Sequence, residues 1–590
     1  MSEVAALLPA LAVLAPLVLA VLLVVPGARA AIGRLAPLAA VPALALAFAP
    51  DLGIGPVVIE APEILLGLRL GATDTLARAF LAFTAVLWFV AAWFAHAYVG
   101  GQPRRTSFWA WFLVTMAGNL GVIVAQDMAG FYLLFAVMSL ASYGLIVHDR
   151  TAAARRAANI YLAVALLGDV LILAALLAIT PGAANLTLDT VPAAVAASPY
   201  AEAVAWLLLA GFGVKAGAVF PLHVWLPLAH PVAPTPASAL LSGAMIKVGL
   251  LGWLRFLPIG ELALPQLGTV WIVAGLTAAF GGAALGITHR DPKTVLAYSS
   301  ISQMGMMMIG VGVAVSEPAA RDVAIAALIV FASHHALAKA ALFLGTAVAR
   351  VGSKTEPAAA PSGGGRAVRW LIAIALVWPA LEIAGAPLSS GALAKLTLKD
   401  VLALHPHGGA LSSALSFAAI GSTLLMARFL AVIVPRGSAG ASPSVGLWLP
   451  WVVLVAIDTV LFVRAGGQSA LAAPGTAWSA TWPVLAGAGI AVGAWRLGRG
   501  VRVPVVPAGD VVVLFAWLAG RGRALVEAMT RMVREAGSTL RGLTGTLASE
   551  GALARYGRWL DRVDAGLARF PVVGVSLVAL AAALIVSSAR

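Results

Sequence analysis

The sequence predicts an all-α polytopic membrane protein, and three observations support that prediction. Of its 590 residues, 61% are hydrophobic and 11% are charged, whereas about 25% charged residues is usual in soluble globular domains. The mean hydropathy is +0.99. The apolar runs are about 20 residues long, the length that crosses a bilayer as a helix. A transmembrane β-barrel would instead show short segments of alternating hydrophobicity.

The apolar runs predict about 14–16 transmembrane helices. The first run lacks a basic start and a clear cleavage site, so it is interpreted as a retained helix and not a signal peptide. The predicted spans lie near residues 5–25, 30–50, 75–97, 107–126, 128–147, 158–180, 201–222, 237–257, 267–288, 294–315, 322–349, 370–404, 412–434, 446–464, 480–497 and 571–587.

The loops between these spans alternate in charge. Basic side chains such as Arg29, Arg104 and Arg150 follow the first, third and fifth spans, whereas the opposite loops carry acidic ones such as Asp51 and Asp189. Cytoplasmic loops carry an excess of Lys and Arg. The pattern therefore predicts a multi-pass protein of a bacterial-type inner membrane, with its N-terminus outside.

Two segments interrupt the hydropathy pattern. Residues 351–369 are rich in Gly, Pro and Ser, which is typical of a linker. Residues 498–570 are basic, and their apolar residues recur mostly every three or four positions, which predicts an amphipathic helix along the membrane interface. A final transmembrane helix is expected in 571–590. The interfacial helix either grips a neighbouring subunit or simply lies on the membrane surface.

The composition also limits the chemistry. The chain has no cysteine, which excludes a disulfide framework, an iron–sulfur cluster and Cys-ligated zinc. The net charge of +14 is explained by the basic loops and the basic C-terminal region. We expect no cofactor, no metal site, no nucleic-acid partner and no bond-making chemistry in this chain alone.

The stretch 211–255 places two lysines beside a proline-rich break. Lys215 lies in the apolar run before the break, and Lys247 lies in the run after it. A lysine in hydrocarbon costs about 2.5–3.5 kcal/mol on insertion scales. A buried amine that gains and loses a proton is suited to a proton relay. The alternative for each is a snorkelling or structurally paired lysine.

Prolines mark two predicted helix breaks. Pro221, Pro231 and Pro234 follow the first of these lysines, and Pro387 precedes Lys395. Proline removes a backbone donor, and broken helices persist at membrane depth only where protein or water satisfies the freed groups. The breaks therefore predict a hydrated path beside the lysines.

Four stretches in order resemble one family. They are GFGVKAGAVFPLHVWLPLAHPVAPTPASALLSGAMIKVGLLGWLR (211–255), DPKTVLAYSSISQMG (291–305), HHALAKAALFLGTAVAR (334–350) and GAPLSSGALAK (385–395). They resemble the antiporter-like, proton-translocating membrane subunits shared by respiratory complex I, membrane-bound hydrogenases of the hydrogenase-4 and formate hydrogenlyase B type, and Mrp cation/proton antiporters. The resemblance spans roughly residues 107–400.

This resemblance implies an architecture. Residues 107–257 and 267–434 would form two inverted five-helix repeats, each with one discontinuous helix, as in many transporters. Helices in 1–106 would precede the repeats, and additional helices in 446–497 would follow them.

The resemblance also implies site residues. The implied proton relay consists of Lys215, Lys247, His335, Lys339 and Lys395. Residues four apart share a helix face, so His335 and Lys339 can reach one path, and histidine changes charge near neutral pH. The implied channel-lining side chains, each with a purely structural alternative, are His230, His334, Ser299 and Ser300. His223, in the first break, is a weaker candidate.

One position departs from the family pattern. Relatives carry a glutamate on the fifth helix that pairs with the lysine at the position of Lys215, but this chain has Ala136 there. The lysine therefore lacks its usual counter-charge. Asp169 on the sixth span and Glu382 on the twelfth are the candidate carboxylate partners.

Two functional hypotheses follow. In the first, the chain is a proton-translocating subunit of a multisubunit complex, coupled to redox chemistry or cation exchange elsewhere, with H⁺ as the translocated ion and Na⁺ as a candidate second ion. In the second, it is a transport-incompetent scaffold, as the Ala136 replacement suggests. Both predict other membrane subunits and the lipid bilayer as partners. A proton-conducting partner of a soluble enzyme ranks lower, because the wording AHPVAPTP does not fit that branch.

Overall fold

The computed structural model of the protein describes residues 3–61, 67–179, 186–350, 365–433, 443–464 and 474–497, with 506, 507 and 509. Except for residue 509, this part lies in the first of two compact units, Met1–Ala508. The predicted interfacial helix and the sixteenth span lie outside the described residues, apart from those last three positions.

The N-terminal spans are less regular than predicted. The first consists mainly of one helix, which contains Pro16, but the second is divided by a 3-10 turn at Ala36–Ala40, which contains Pro37. Proline lacks the N–H that would continue the helix. The helices here are α1 (Glu3–Ala6), α2 (Leu8–Leu22), α3 (Arg29–Leu35) and α4 (Val41–Ala47).

Four long helices and one short helix follow. The long helices correspond to the third to sixth predicted spans, and the short one lies in a predicted loop. They are α5 (Thr75–Tyr98), α6 (Arg105–Val124), α7 (Met128–Ile146), α8 (Ala152–Ile179) and α9 (Val191–Ala197).

A small hairpin, which the sequence did not predict, packs at the start of α7. Its strands are β1 (Val58–Ala61) and β2 (Leu68–Gly71), paired antiparallel. Asp127 fixes this corner, because its carboxylate accepts from the backbone N–H of Arg69 at 2.8 Å and from that of Gly130 at 2.6 Å. The second bond caps α7 in the usual Asp manner.

The seventh predicted span is broken, as expected. Helix α10 (Ala201–Ala216) ends before a break that contains Pro221, and α11 (Trp225–Val232) follows. Pro234 separates α11 from the next helix. The prediction that Pro231 breaks the chain is wrong, because Pro231 lies inside α11, one residue before its end. Only Val232 of this short helix lies beyond it, so little of the helix depends on the N–H that proline lacks.

The eighth span contains an irregular turn. It consists of α12 (Thr235–Leu240), a π-helical turn (Leu241–Met245) and α13 (Lys247–Phe256). The next three spans are the helices α14 (Pro265–Gly286), α15 (Pro292–Ser316) and α16 (Arg321–Arg350).

The twelfth span is also broken, between α17 (Gly365–Ala384) and α18 (Ser390–Leu402). Pro387 lies in this break. Helix α17 begins at Gly365, so the last five residues of the predicted linker 351–369 are helical. The remaining described helices are α19 (Gly408–Ile433), α20 (Val445–Arg464) and α21 (Pro474–Leu497).

Eleven helices in the described part are long and apolar enough to cross a membrane. The four other predicted spans of this part correspond to α2, the two broken helices and α21. The prediction of an all-α polytopic membrane protein is confirmed.

The centre of the fold is enclosed by protein. Every residue of Thr235–Phe256 and of α15 is buried, whereas in the most apolar windows of Ala152–Ile179 and Val445–Val463 only 39% and 28% of the residues are buried. Polar side chains on the two enclosed segments are therefore shielded from lipid.

Candidate functional site

The π-helical turn of the eighth span holds the central lysine. The N–H of Ile246 reaches back five residues to the carbonyl of Leu241, and the Nζ of Lys247 donates to the carbonyl of Ser242 at 2.8 Å. Lys247 is 1% exposed, and its Nζ also hydrogen-bonds to Nδ1 of His335 on α16. Two predicted relay residues from different helices are thus in direct contact. Such π turns often occur at functional sites.

A second set of hydrogen bonds starts at the hydroxyl of Ser242, the residue whose carbonyl accepts from Lys247, and ends at Lys339. The hydroxyls of Ser242 and Ser300 lie 2.7 Å apart, and Ser300 donates to the carbonyl of Leu296 at 3.0 Å. Lys339 Nζ donates to the same carbonyl at 3.0 Å. Because Ser300 and Lys339 share one acceptor, their polar atoms lie beside each other.

The central cluster, defined as Lys247, His334, His335 and Lys339, contains four buried basic side chains. None of its hydrogen bonds in the described part goes to a carboxylate. Like charges in a low-dielectric site repel, so these four groups cannot all be protonated together. His335 Nε2 has no hydrogen-bond partner among the described residues.

Lys215, in the last turn of α10, rests on neutral groups. It is 4% exposed, and its Nζ donates to the hydroxyl of Ser139 and to that of Tyr161 at 3.2 Å. The rings of Phe135 and Tyr161 each lie 5.3 Å from Nζ, within the range of cation–π attraction. Ser139 lies one turn beyond Ala136 on α7.

The break after Lys215 is closed by its neighbours. Gly217 ends α10 in the left-handed region, with φ +70°, which glycine adopts without a Cβ penalty. Trp225 Nε1 donates to the carbonyl of Val214 at 3.1 Å, so one of the last carbonyls of α10 gains a partner.

The structure places the two histidines of this region against aromatic rings. His223 stacks on Phe220 with ring centroids 3.7 Å apart. His230, predicted to lie in the break, is instead inside α11 and stacks on Phe343 at 4.5 Å. His230 is fully buried, and neither of its ring nitrogens has a hydrogen-bond partner among the described residues.

Lys395, on α18, caps the other half of its broken helix. It is 7% exposed, and its Nζ donates to the carbonyls of Ile383 at 2.9 Å and Ala384 at 2.8 Å. These are the last two residues of α17. A cation at a helix C-terminus is favoured by the unpaired carbonyls there.

Glu382 was predicted as a carboxylate partner of the second repeat, but its contacts are with other groups. Its side chain lies within hydrogen-bonding reach of those of Asp458, Ser390 and Trp378. Glu382 and Asp458 are 1% and 3% exposed. The hydroxyl of Ser390 also lies 2.7 Å from Nδ1 of His334.

Asp169, the other predicted partner, lies near Lys215 without a hydrogen bond to it. Asp169, Lys215, Tyr161 and Trp225 line one narrow gap. Asp169 is 6% exposed, and its Oδ1 has no partner among the described residues. Its role as a counter-charge stays a prediction.

Ser299 and Ser300 are both fully buried on α15. Ser300 belongs to the hydrogen-bonded set described above, whereas the hydroxyl of Ser299 has no partner among the described residues. The structure therefore brings Ser300 into contact with the candidate site and leaves Ser299 apart from these hydrogen bonds.

Four polar residues of the site were not identified as site residues from the sequence. Ser139 and Tyr161 hold Lys215, Asp458 pairs with Glu382, and Lys293 donates to the carbonyl of Ala233 at the end of α11 (2.8 Å). Asp458 offered a signal, because a carboxylate inside an apolar span is costly. Ser139, Tyr161 and Lys293 could be recognised only once the helices were packed.

Polar groups also line a recess at one end of the helices. Its lining includes Glu60, Asp74, Gln126, Asp189 and Arg255. These residues lie in or beside loops that the charge pattern predicts to be on the outer side of the membrane. Arg255, on the same helix as the central lysine, pairs with Asp74 at 2.7 Å.

Comparisons with known proteins agree with the sequence resemblance. The family model described as "NADH:quinone oxidoreductase/Mrp antiporter, TM" matches residues 125–420, half of the chain. Hydrogenase-4 component B of Escherichia coli (strain K12) is 32% identical over 240 residues, which cover 39% of this chain and 36% of that protein. A component of the Na(+)/H(+) antiporter of Alkalihalophilus pseudofirmus is 27% identical over 331 residues, covering 55% and 65%. The chain thus spans less than two thirds of either relative.

One solved structure extends the likeness of fold. A chain in the structure of the Mrp complex from Dietzia sp. DQ12-45-1b superposes with a TM-score of 0.66. The sequences are 22% identical, and the match covers 82% of this chain and 99% of that one.

Proposed function

Because the chain belongs to the NADH:quinone oxidoreductase/Mrp antiporter family, we propose that it is a proton-translocating membrane subunit of a multisubunit complex. Protons pass through the membrane by way of Lys215, the central cluster and Lys395. The energy comes from redox chemistry or cation exchange in partner subunits, and Na⁺ is the candidate exchanged cation.

The observation that carries this proposal is the contact between Lys247, in the fully buried segment Thr235–Phe256, and His335 on α16. Two bases that share a hydrogen bond can exchange a proton without moving far. The hydroxyls of Ser242 and Ser300 lie next to this contact, and Ser300 shares its carbonyl acceptor with Lys339. Burying these amines is costly, and proton transfer gives them a use.

Charge repulsion within the central cluster passes the effect of an entering proton along the path. Since its members repel one another when charged, a proton that arrives on one of them lowers the proton affinity of the others. A proton entering from Lys215 therefore displaces one already bound further along. Lys395 donates to the last carbonyls of α17, and an ammonium is favoured at a helix C-terminus. This lysine can therefore receive the displaced proton.

We propose that protons leave or enter the path through the polar recess described above. It is lined by Arg255, on the helix that carries the central lysine. We place the recess on the outer face and the N-terminus outside, in a bacterial-type inner membrane, on the basis of the loop charges. The segments 107–257 and 267–434 remain our proposed repeats.

The test is proton translocation by the purified complex in proteoliposomes. Lys215→Ala and Lys247→Ala are each expected to reduce the rate by at least about tenfold, while any electron transfer by partner subunits is retained. Lys354→Ala, in the linker predicted at 351–369, is the matched control and is expected to translocate normally. Unchanged rates in both relay variants would exclude the proposed path.

A scaffold role is the second candidate, and the neutral environment of Lys215 favours it. The ammonium rests on Ser139 and Tyr161, and Ala136 supplies no carboxylate. Under this alternative neither lysine variant changes the translocation measured for the complex, but removal of the chain prevents the partner subunits from co-purifying in mild detergent.

A further inference from the structure

Two buried carboxyl groups face each other at the second helix break. Glu382 lies in the last turn of α17, and Asp458 lies within α20. Their side chains lie within hydrogen-bonding reach of each other, although they come from different helices and each is at most 3% exposed. A hydrogen bond between two carboxyl groups requires a hydrogen on one of them, because an ionised carboxylate only accepts.

No basic side chain neutralises this pair among the described residues. The ion pairs found there are Arg69–Glu60, Arg255–Asp74 and Arg321–Glu261. Lys395 is directed to the carbonyls of the neighbouring residues Ile383 and Ala384 instead. Two carboxylates in contact and out of water cannot both be ionised, because the charges repel and neither is solvated.

The pair is connected to the central cluster through one hydroxyl. The Ser390 hydroxyl hydrogen-bonds to Nδ1 of His334 at 2.7 Å and lies within reach of the Glu382 carboxyl group. A serine hydroxyl has a single hydrogen, so when it donates to Glu382 it must accept from His334. The free Nε2 of His334 is buried and without a partner in the described part, which leaves it able to take up another proton.

We propose that Glu382 and Asp458 form a shared-proton site that stores protons for the second half of the relay and is filled from His334 through Ser390. This inference rests on the proposed function and adds to it a pair of carboxyl groups beside the lysines and histidines of the relay. In the resting state the pair holds one proton and one negative charge.

The transfer moves one proton from the histidine to the acid pair. Once Nε2 has taken up a proton, the His334 imidazolium gives its Nδ1 proton to the Ser390 oxygen while Ser390 passes its own hydrogen to Glu382. His334 loses one proton, the acid pair gains one and becomes neutral, and the composition of Ser390 is unchanged. The reverse transfer, or release toward a partner subunit, returns the pair to its singly protonated state.

Infrared difference spectroscopy on the full chain in lipid nanodiscs tests the proposal without any transport. The wild type is expected to show the carbonyl stretch of a protonated carboxylic acid at neutral pH, shifted when the sample is moved to ²H₂O. Glu382→Gln and Asp458→Asn should each remove that band, because an amide can donate to the remaining carboxylate and let it ionise. Asp51→Asn, at an exposed loop position, is the control and should keep it.

A wild-type spectrum without the band, or a band that persists in either acid variant, would overturn the shared proton. Loss of the wild-type band on addition of Na⁺ would instead identify a cation site and also overturn it. Because the wild-type spectrum needs no substitution, poor folding of a variant leaves the proposal testable.

The route from His334 is tested separately. Ser390→Ala should keep the band but slow its exchange with ²H₂O on the order of tenfold, and an unchanged exchange rate would exclude this route. If Lys215→Ala and Lys247→Ala leave translocation intact while the band behaves as expected, the proposed relay is rejected and the shared-proton site is retained.

Discussion

At the scale of single residues, the environment of Lys215 is the main departure from the family pattern. The alanine at position 136 removes a counter-charge, and the packed structure supplies hydroxyls and aromatic faces in its place. Neutral partners hold an ammonium less firmly than a carboxylate does. Lys215 is therefore bound by neutral partners at the place where the family pattern has an ion pair.

Ser139→Ala should slow proton translocation by about tenfold, because it removes one of the two oxygen acceptors of Lys215. The matched control is Ser142→Ala on the next turn of α7, whose hydroxyl bonds to the carbonyl of Met138. Initial rates in proteoliposomes measure both. Equal effects of the two substitutions would show that the acceptor role of Ser139 is unimportant.

Ala136→Glu should place a carboxylate on the face of α7 that carries Ser139, because residues three apart are neighbours on a helix. An ion pair would then hold Lys215 charged. If the chain already translocates protons, the substitution should change the pH dependence of the rate. If it gains translocation from a baseline of none, the scaffold interpretation of the wild type is correct.

At the scale of helices, the two breaks are closed in different ways. Both first halves end at a glycine with positive φ, Gly217 at +70° and Gly385 at +87°. In the first break an indole N–H from Trp225 takes a terminal carbonyl. In the second, the ammonium of Lys395 takes two. A titratable group therefore caps the second break, and an indole caps the first.

Lys395→Met should lower the free energy of unfolding by about 1–3 kcal/mol, because buried carbonyls lose their donor. Lys399→Met is the matched control, since that lysine is half-buried on the same helix and bonds to the hydroxyl of Ser479. Thermal unfolding in detergent compares the two. An equal or larger loss at position 399 would contradict the capping role.

Gly385→Ala should reproduce part of this defect. A Cβ at this position would lie 2.6 Å from Lys395 Nζ, and the positive φ disfavours any side chain. We expect weaker translocation together with lower thermal stability. Gly409→Ala, where a Cβ meets nothing within 4 Å, should behave like the wild type.

At the scale of the whole molecule, orientation decides which face each half of the path opens to. The chain has no cysteine, so single introduced cysteines report without background. A membrane-impermeant thiol reagent added to intact cells should label Ala197→Cys and not Thr151→Cys, both at exposed positions. Permeabilised cells should show both labelled. The reverse pattern in intact cells would place the N-terminus inside.

The sequence alone determined the class of the protein and most of its span boundaries, because hydropathy and loop charge are local properties that the bilayer imposes along the chain. It also located the breaks, through proline, and the buried lysines, through their cost in hydrocarbon. These features need no knowledge of which helices touch.

Only the tertiary structure decided the partners. Ser139 meets Lys215 across 76 positions, and Lys247 meets His335 across 88, distances along the chain that no helical period encodes. Likewise, Glu382 was expected to serve a lysine, and packing gave it Asp458 instead. A buried polar group bonds to whatever the neighbouring helices bring within about 3 Å, so its chemistry is fixed by how the helices pack.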